Sequence, residues 1–149
     1  MFKIIRYLAR KILSVPQWDK KCWGKVWHRF NDDIINESLL IVEQGWQCSI
    51  HRHKFRYNAF IMSTATIGIE LWNQDKNIAL KNGNEEIPAD RVYFIRPGEC
   101  FVVAPNVYHR FYVISPGKLI EIYWTHDDTK CDINDIYRIT QGGKRPNAQ

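Results

Sequence analysis

The chain has 149 residues, the length of one ordinary domain. Apolar residues make up 45% and charged residues 25%, close to globular averages, which excludes a disordered or fibrous chain. Six Trp, seven Tyr and seven Phe can fill a sizeable core, and 21 Lys and Arg against 16 Asp and Glu leave a net charge of +5. That diffuse charge suits anionic small molecules. It does not suit nucleic acid, which needs cations gathered on one face.

Residues 1–17 are expected to form a short amphipathic helix. Ile5, Leu8, Ile12 and Val15 fall on one helical stripe, with Lys3, Arg6, Arg10 and Lys11 mostly elsewhere. Basic residues interrupt its apolar ones, so it has no secretory h-region. No run of eighteen apolar residues occurs, so nothing here predicts a membrane span. Cysteines 22, 48, 100 and 131 are widely spaced without a C-x-x-C pair, as expected of reduced thiols in a cytoplasmic protein.

From residue 18 to 140 the pattern changes to short apolar runs broken by turn residues. The runs are Glu37–Val42, Cys48–His53, Asn58–Thr64, Ile67–Trp72, Arg91–Ile95, Phe101–Val103, Tyr108–Val113 and Leu119–Trp124. Eight strands at this spacing, without a helical period among them, predict an antiparallel all-β sandwich or barrel. Trp18–Phe30 is expected outside that barrel, where Trp18, Trp23 and Trp27 offer apolar area for a homodimer contact. The polar tail 141–149, with Gly142, Gly143 and Pro146, is expected to fray.

His51-Arg52-His53 carries the first chemical signal. Alternate strand residues share a face, so the two imidazoles stand roughly 6.6 Å apart along one strand and can converge on a metal ion. Arg52 then faces the other way, as do Cys48 and Ile50. Gly45 lies six positions before His51, Asn58 five after His53, and Gly68 ten after Asn58. Downstream come Pro97-Gly98 and then Ala104-Pro105-Asn106-Val107-Tyr108-His109.

This arrangement resembles the two-motif signature of the cupin superfamily, G-x5-H-x-H-x(3,4)-E-x6-G followed by G-x5-P-x-G-x2-H. The resemblance covers roughly residues 37 to 124. It implies a small jelly-roll barrel and a divalent metal ion (Fe, Mn, Zn or Ni) held by His51, His53, Asn58 and His109. The sequence departs from this signature: the glutamate position holds Asn58, which brings no negative charge, the second glycine is displaced to Gly68, and Pro105 to His109 is also one residue shorter than usual. Three neutral imidazoles and an amide leave a divalent ion its full charge, which favours an anionic ligand.

Within that superfamily, the order of Ser49-Ile50-His51-Arg52-His53, Pro105 to Phe111, Leu119-Ile120-Glu121-Ile122 and Asp132 to Arg138 is similar to the cupin domain of type II mannose-6-phosphate isomerases. The closing Y-G-R of that family is missing here. The resemblance implies sugar or sugar-phosphate isomerase or epimerase chemistry on a small anionic molecule such as a sugar phosphate. Aldose–ketose exchange needs a base for a carbon-bound proton. Glu121, in an apolar run, is the candidate, with Glu70 and Tyr123 as weaker ones. Arg138 and Tyr123 are candidate substrate contacts, and Arg110 should point away from the metal by alternation. Two other readings stay open: a non-catalytic small-anion binding module and a three-histidine iron dioxygenase.

Overall fold

Period-two patterning turns most of this chain into strands. A computed structural model describes residues 17–73, 88–126 and 128–146, and these residues contain thirteen strands and no helix. In chain order they are β1 (Asp19–Lys21), β2 (Gly24–Asn31), β3 (Ile35–Val42), β4 (Trp46–Gln47), β5 (His51–Arg52), β6 (Tyr57–Met62), β7 (Thr66–Trp72), β8 (Arg91–Ile95), β9 (Cys100–Val103), β10 (Tyr108–Ser115), β11 (Gly117–Trp124), β12 (Tyr137–Arg138) and β13 (Gly143–Lys144). Every pairing is antiparallel. The fold is the expected antiparallel all-β architecture. The expected N-terminal helix lies outside the described residues.

One sheet runs β1-β2-β3-β11-β6-β9. In the other, β10 pairs on one side with β7, which carries β8, and on the other side with the short β4 and β5, which carry β13 and β12. The inner faces meet in a core of Leu40, Val42, Phe60, Met62, Ile67, Ile69, Phe111, Val113 and Leu119. Burial at alternate positions of β3 (Asn36, Ser38, Leu40, Val42) shows how period two builds this face. Its deep half is apolar and its upper half polar, which places a site at one end of the barrel.

Three expectations are corrected. Trp18–Phe30 does not lie outside the barrel: β1 and β2 belong to the first sheet, Val26 is in the core, and the Trp23 ring packs edge-on against Phe111 at 5.3 Å. Lys25 and Arg29 mask this strand in the sequence because they sit on its outer face. The run Cys48–His53 is not one strand. It breaks between β4 and β5, which cancels the alternation and turns Cys48 into the core. The tail does not fray at Gly143–Lys144, which pair with Trp46 and Gln47.

Candidate metal centre and active site

His51 and His109 are direct cross-strand partners on β5 and β10, so strand register alone brings their rings to 4.4 Å between centroids. His53 follows one residue after β5, its ring 5.1 Å from His51 and 5.5 Å from His109. The loop before β10 fixes this approach. Asn106 takes a left-handed conformation (φ 64°), which asparagine tolerates, and its backbone N–H donates to His53 O at 2.6 Å. The two histidine motifs are thus tied by a main-chain hydrogen bond.

Each imidazole is oriented by its Nδ1–H. His51 donates to Ser49 O at 2.8 Å, His109 to Val107 O at 2.9 Å and His53 to Asp135 O at 2.5 Å. A carbonyl oxygen only accepts, so these contacts assign the proton to Nδ1 and the lone pair to Nε2 in all three rings; Arg56 Nη2, 3.0 Å from His53 Nδ1, then directs its own proton to the shared Asp135 carbonyl. Nε2 of His53 and of His109 is buried without a hydrogen-bond partner, as is Oδ1 of Asn58. One ring nitrogen from each histidine lies within 4.8 Å of the others. Burial holds all three neutral, with neighbouring imidazoles adding to the effect at His51 and His53: His51 titrates well below the usual imidazole range, His53 at about 3 and His109 at about 4. Oriented, neutral nitrogens with unmet lone pairs fit a divalent transition metal.

Asn58 is fully buried on β6, opposite Tyr123 of β11. Its Nδ2 donates to Glu121 Oε1 at 3.1 Å, and Tyr123 Oη donates to the same oxygen at 2.7 Å. Burial pushes the Glu121 carboxyl up despite these two donors, and lifts the Tyr123 phenol well above its ordinary range. Glu121, Tyr123, His51 and Arg138 line one cavity of about 370 Å³, large enough for a small sugar. His53 and His109 are buried more deeply, 2% and 1% exposed. Arg138 is exposed and pairs across strands with His51.

Other candidates fall elsewhere. Arg110 points to the opposite face of its sheet, as alternation requires, where its Nε donates to Glu70 Oε2 at 2.7 Å. Glu70 is therefore not a base for this cavity; Arg145 and Arg110 hold its carboxyl below the usual range against the cost of burial. Cys48 lines the cavity instead of facing away. Burial pushes its thiol up to about 12, so it stays protonated.

Two residues that sequence reasoning missed complete the support. Arg56, 3% exposed, donates through Nη2 to Asp135 O at 2.8 Å and lies over the Tyr123 ring at 4.3 Å. The Asp135 carboxylate accepts the backbone N–H groups of Lys54, Phe55 and Arg56 at 2.8–3.1 Å. Asp135 thus holds the turn after His53 with its side chain and the His53 ring with its carbonyl. The Asp132-to-Arg138 segment was a usable signal for Asp135. Nothing in the sequence marked Arg56.

Comparison with known proteins resolves the family. The sequence profile of D-lyxose isomerase matches residues 24–141. The chain belongs to the D-lyxose isomerase family. No curated protein matches the sequence. Among solved structures, KdgF from a Halomonas species is 12% identical, with a TM-score of 0.57, covering 75% of this chain and 90% of its own. An RmlC-like cupin from Shewanella frigidimarina is 13% identical, with a TM-score of 0.55 and coverage of 74% and 84%. A Bacillus subtilis oxalate decarboxylase is 8% identical, with a TM-score of 0.61, covering 83% of this chain and 30% of its own. These likenesses establish the cupin fold.

Proposed function

We propose that this member of the D-lyxose isomerase family is a metal-dependent sugar isomerase acting on an open-chain aldose or ketose. His51, His53 and His109 hold a divalent metal through Nε2, with Asn58 Oδ1 as a neutral fourth ligand. When bound, the metal polarises the carbonyl and the neighbouring hydroxyl of the sugar. Glu121 moves the carbon-bound proton between the two carbons. Tyr123 and Asn58 fix one of its oxygens, leaving Oε2 without a protein donor among the described residues. Arg138, at the mouth, receives an anionic group such as a sugar phosphate.

One observation carries this reading: a buried carboxyl with a raised pKa lies in the cavity lined by a histidine of the cluster. The four free thiols support a cytoplasmic setting. No helix among the described residues is long and apolar enough to cross a membrane. Half-buried Trp18 and Trp27, 6.1 Å apart at the edge of the first sheet, support a homodimer contact. A single monomeric mass by light scattering removes that contact.

The deciding experiment loads purified protein separately with Mn, Fe(II), Co, Ni and Zn. Each form is then followed by NMR with D-lyxose, other pentoses and hexoses, and their phosphates. The expected result is aldose–ketose exchange in at least one metal form, lost in Glu121→Gln while metal stays bound. Metal binding without any exchange replaces the isomerase with a small-ligand binding module. No metal binding at micromolar concentration removes the metal centre itself.

A further inference from the structure

Aldose–ketose exchange also moves a proton on oxygen, and Glu121 serves only the carbon. The cavity wall beside it on the same sheet is polar. In strand register, Glu121 of β11 lies directly opposite Ser38 of β3, and Ser38 lies directly opposite His28 of β2. Directly opposed residues carry their Cβ atoms about 5 Å apart. Ser38 is 4% exposed, yet its Oγ meets His28 Nδ1 at 2.9 Å, while His28 Nε2 lies 3.4 Å from Asp19 Oδ2. The His28 side chain is 40% exposed, so the row Glu121, Ser38, His28 runs from the buried carboxyl to solvent. All three line the same cavity.

A second observation points to a ligand against this wall. Asn36, two residues before Ser38 on the same inner face, also lines the cavity and is 4% exposed. Its Nδ2 donates to Cys131 O at 3.0 Å, but its Oδ1 is buried with no hydrogen-bond partner. A buried amide oxygen without a donor costs stability unless a ligand or water supplies one. A sugar hydroxyl is such a donor.

We infer that Ser38 contacts the substrate oxygens on C1 and C2 and that His28, acting through Ser38, lends a proton to one and recovers a proton from the other. The inference rests on the isomerase reading above. As Glu121 takes the proton from C2, that C–H pair forms the C1–C2 double bond. The C1 carbonyl pair takes the Ser38 Oγ proton, and Ser38 takes one from protonated His28 Nδ1. In the second half the C2 hydroxyl proton returns through Ser38 to His28 as the C2 carbonyl forms, and Glu121 delivers its proton to C1. Both residues end as they began. Asp19 holds the ring so that Nδ1 meets Ser38, making Asp19 a positioning residue.

The test has a binding arm and a turnover arm, both on the full chain loaded with metal. In the binding arm, the alditol of lyxose is titrated and occupancy is read from the change in tryptophan fluorescence, assigned to Trp23 of the cavity lining by its loss in Trp23→Phe. The His28 ring is followed by ¹⁵N NMR and assigned with His28→Gln. Bound alditol should move the His28 signals in the parent but not in Ser38→Ala, with occupancy kept. In the turnover arm, His28→Ala and Ser38→Ala should each lower kcat about a hundredfold with KM little changed. Added imidazole should restore His28→Ala but not Ser38→Ala.

A purely structural role for His28 predicts no imidazole rescue. Unmoved His28 signals at full occupancy, or parental turnover in His28→Ala, overturn the relay. Absence of turnover in the parent, with the Ser38-dependent NMR response intact, overturns the isomerase reading and leaves the contact standing. An alditol that does not bind, together with no exchange of any sugar or sugar phosphate in the series above, overturns both.

Discussion

His109 and Arg110 are neighbours on β10, yet they anchor polar clusters of opposite character on the two faces of one sheet. On the outer face, both Glu70 oxygens are engaged: Arg110 Nε donates to Oε2 at 2.7 Å and Arg145 Nη2 to Oε1 at 2.8 Å. The Arg145 guanidinium also lies 3.6 Å over the Tyr112 ring. That ring lies across Gly68, where a Cβ would come 2.1 Å from it, so any other residue there must displace the ring. On the inner face, His51, His53 and His109 are neutral, and two of them keep buried nitrogens with no partner. A satisfied ion cluster holds a fold together; oriented acceptors left unmet wait for a ligand.

That contrast is broken most directly by crossing the two clusters. His53→Ala should weaken divalent metal binding by at least about a hundredfold, because it removes one of three imidazole ligands. Glu70→Ala should leave metal affinity unchanged. It should instead cost about 3 kcal/mol in chemical denaturation, because two arginines lose a buried counter-charge. If Glu70→Ala weakens metal binding as His53→Ala does, the two faces act as one unit and the contrast fails.

Acidification should separate the faces next. Unfolded histidines take up protons near pH 6.5, whereas the folded His53 and His109 resist to about 3 and 4 and His51 also resists. The unfolded state therefore binds more protons below pH 6.5, and metal-free protein should lose stability as pH falls toward 4. Glu121, with its raised pKa, opposes this by up to one proton. Up to two protons remain, about 2.7 kcal/mol per pH unit at the steepest. The outer cluster contributes in a lower window, since the depressed Glu70 carboxyl loses its stabilisation only as pH falls below the ordinary glutamate range. Urea titrations of metal-free protein between pH 4 and 7 check the slope; a flat profile contradicts neutral buried histidines.

Much of this contrast is legible in the sequence. H-x-H spacing and the downstream His109 picked out all three clustered rings, and strand alternation sent Arg110 to the other face. Glu121 was visible as an acid within an apolar run. What stayed hidden depends on backbone irregularity and on distant pairing. Cys48 entered the core because the chain breaks between β4 and β5. His28 and Ser38 are ten residues apart and meet only through the β2–β3 register. Asp135 reaches His53 across 82 positions. Local pattern cannot predict such contacts.

A smaller effect concerns the support of one imidazole. Asp135→Ala keeps the carbonyl that orients His53 but removes the carboxylate that caps Lys54, Phe55 and Arg56. Loosening that turn should reduce metal affinity about tenfold, the lower end of the range for residues that orient ligands. Calorimetric titration of the metal-free protein measures this. An unchanged affinity means that the tie from Asn106 to His53 suffices.

An effect of similar size on affinity, and the one that sharpens the contrast most, comes from Asn58→Glu. This exchange places a carboxylate where the cupin signature has one. It adds a charged oxygen beside three neutral nitrogens, so divalent metal binding should tighten by about tenfold, the worth of roughly 1.4 kcal/mol. It also deletes the donor that Asn58 Nδ2 gives to Glu121 and sets two carboxylates side by side in a buried site. Without metal one of them must stay protonated, and the metal-free variant should be less stable than the parent by about 1–3 kcal/mol. Metal should therefore raise the melting temperature of Asn58→Glu more than that of the parent. Paired thermal scans with and without Mn test this directly. Equal metal-induced shifts in the two proteins would mean that residue 58 does not face the ion, leaving Asn58 to serve Glu121 alone.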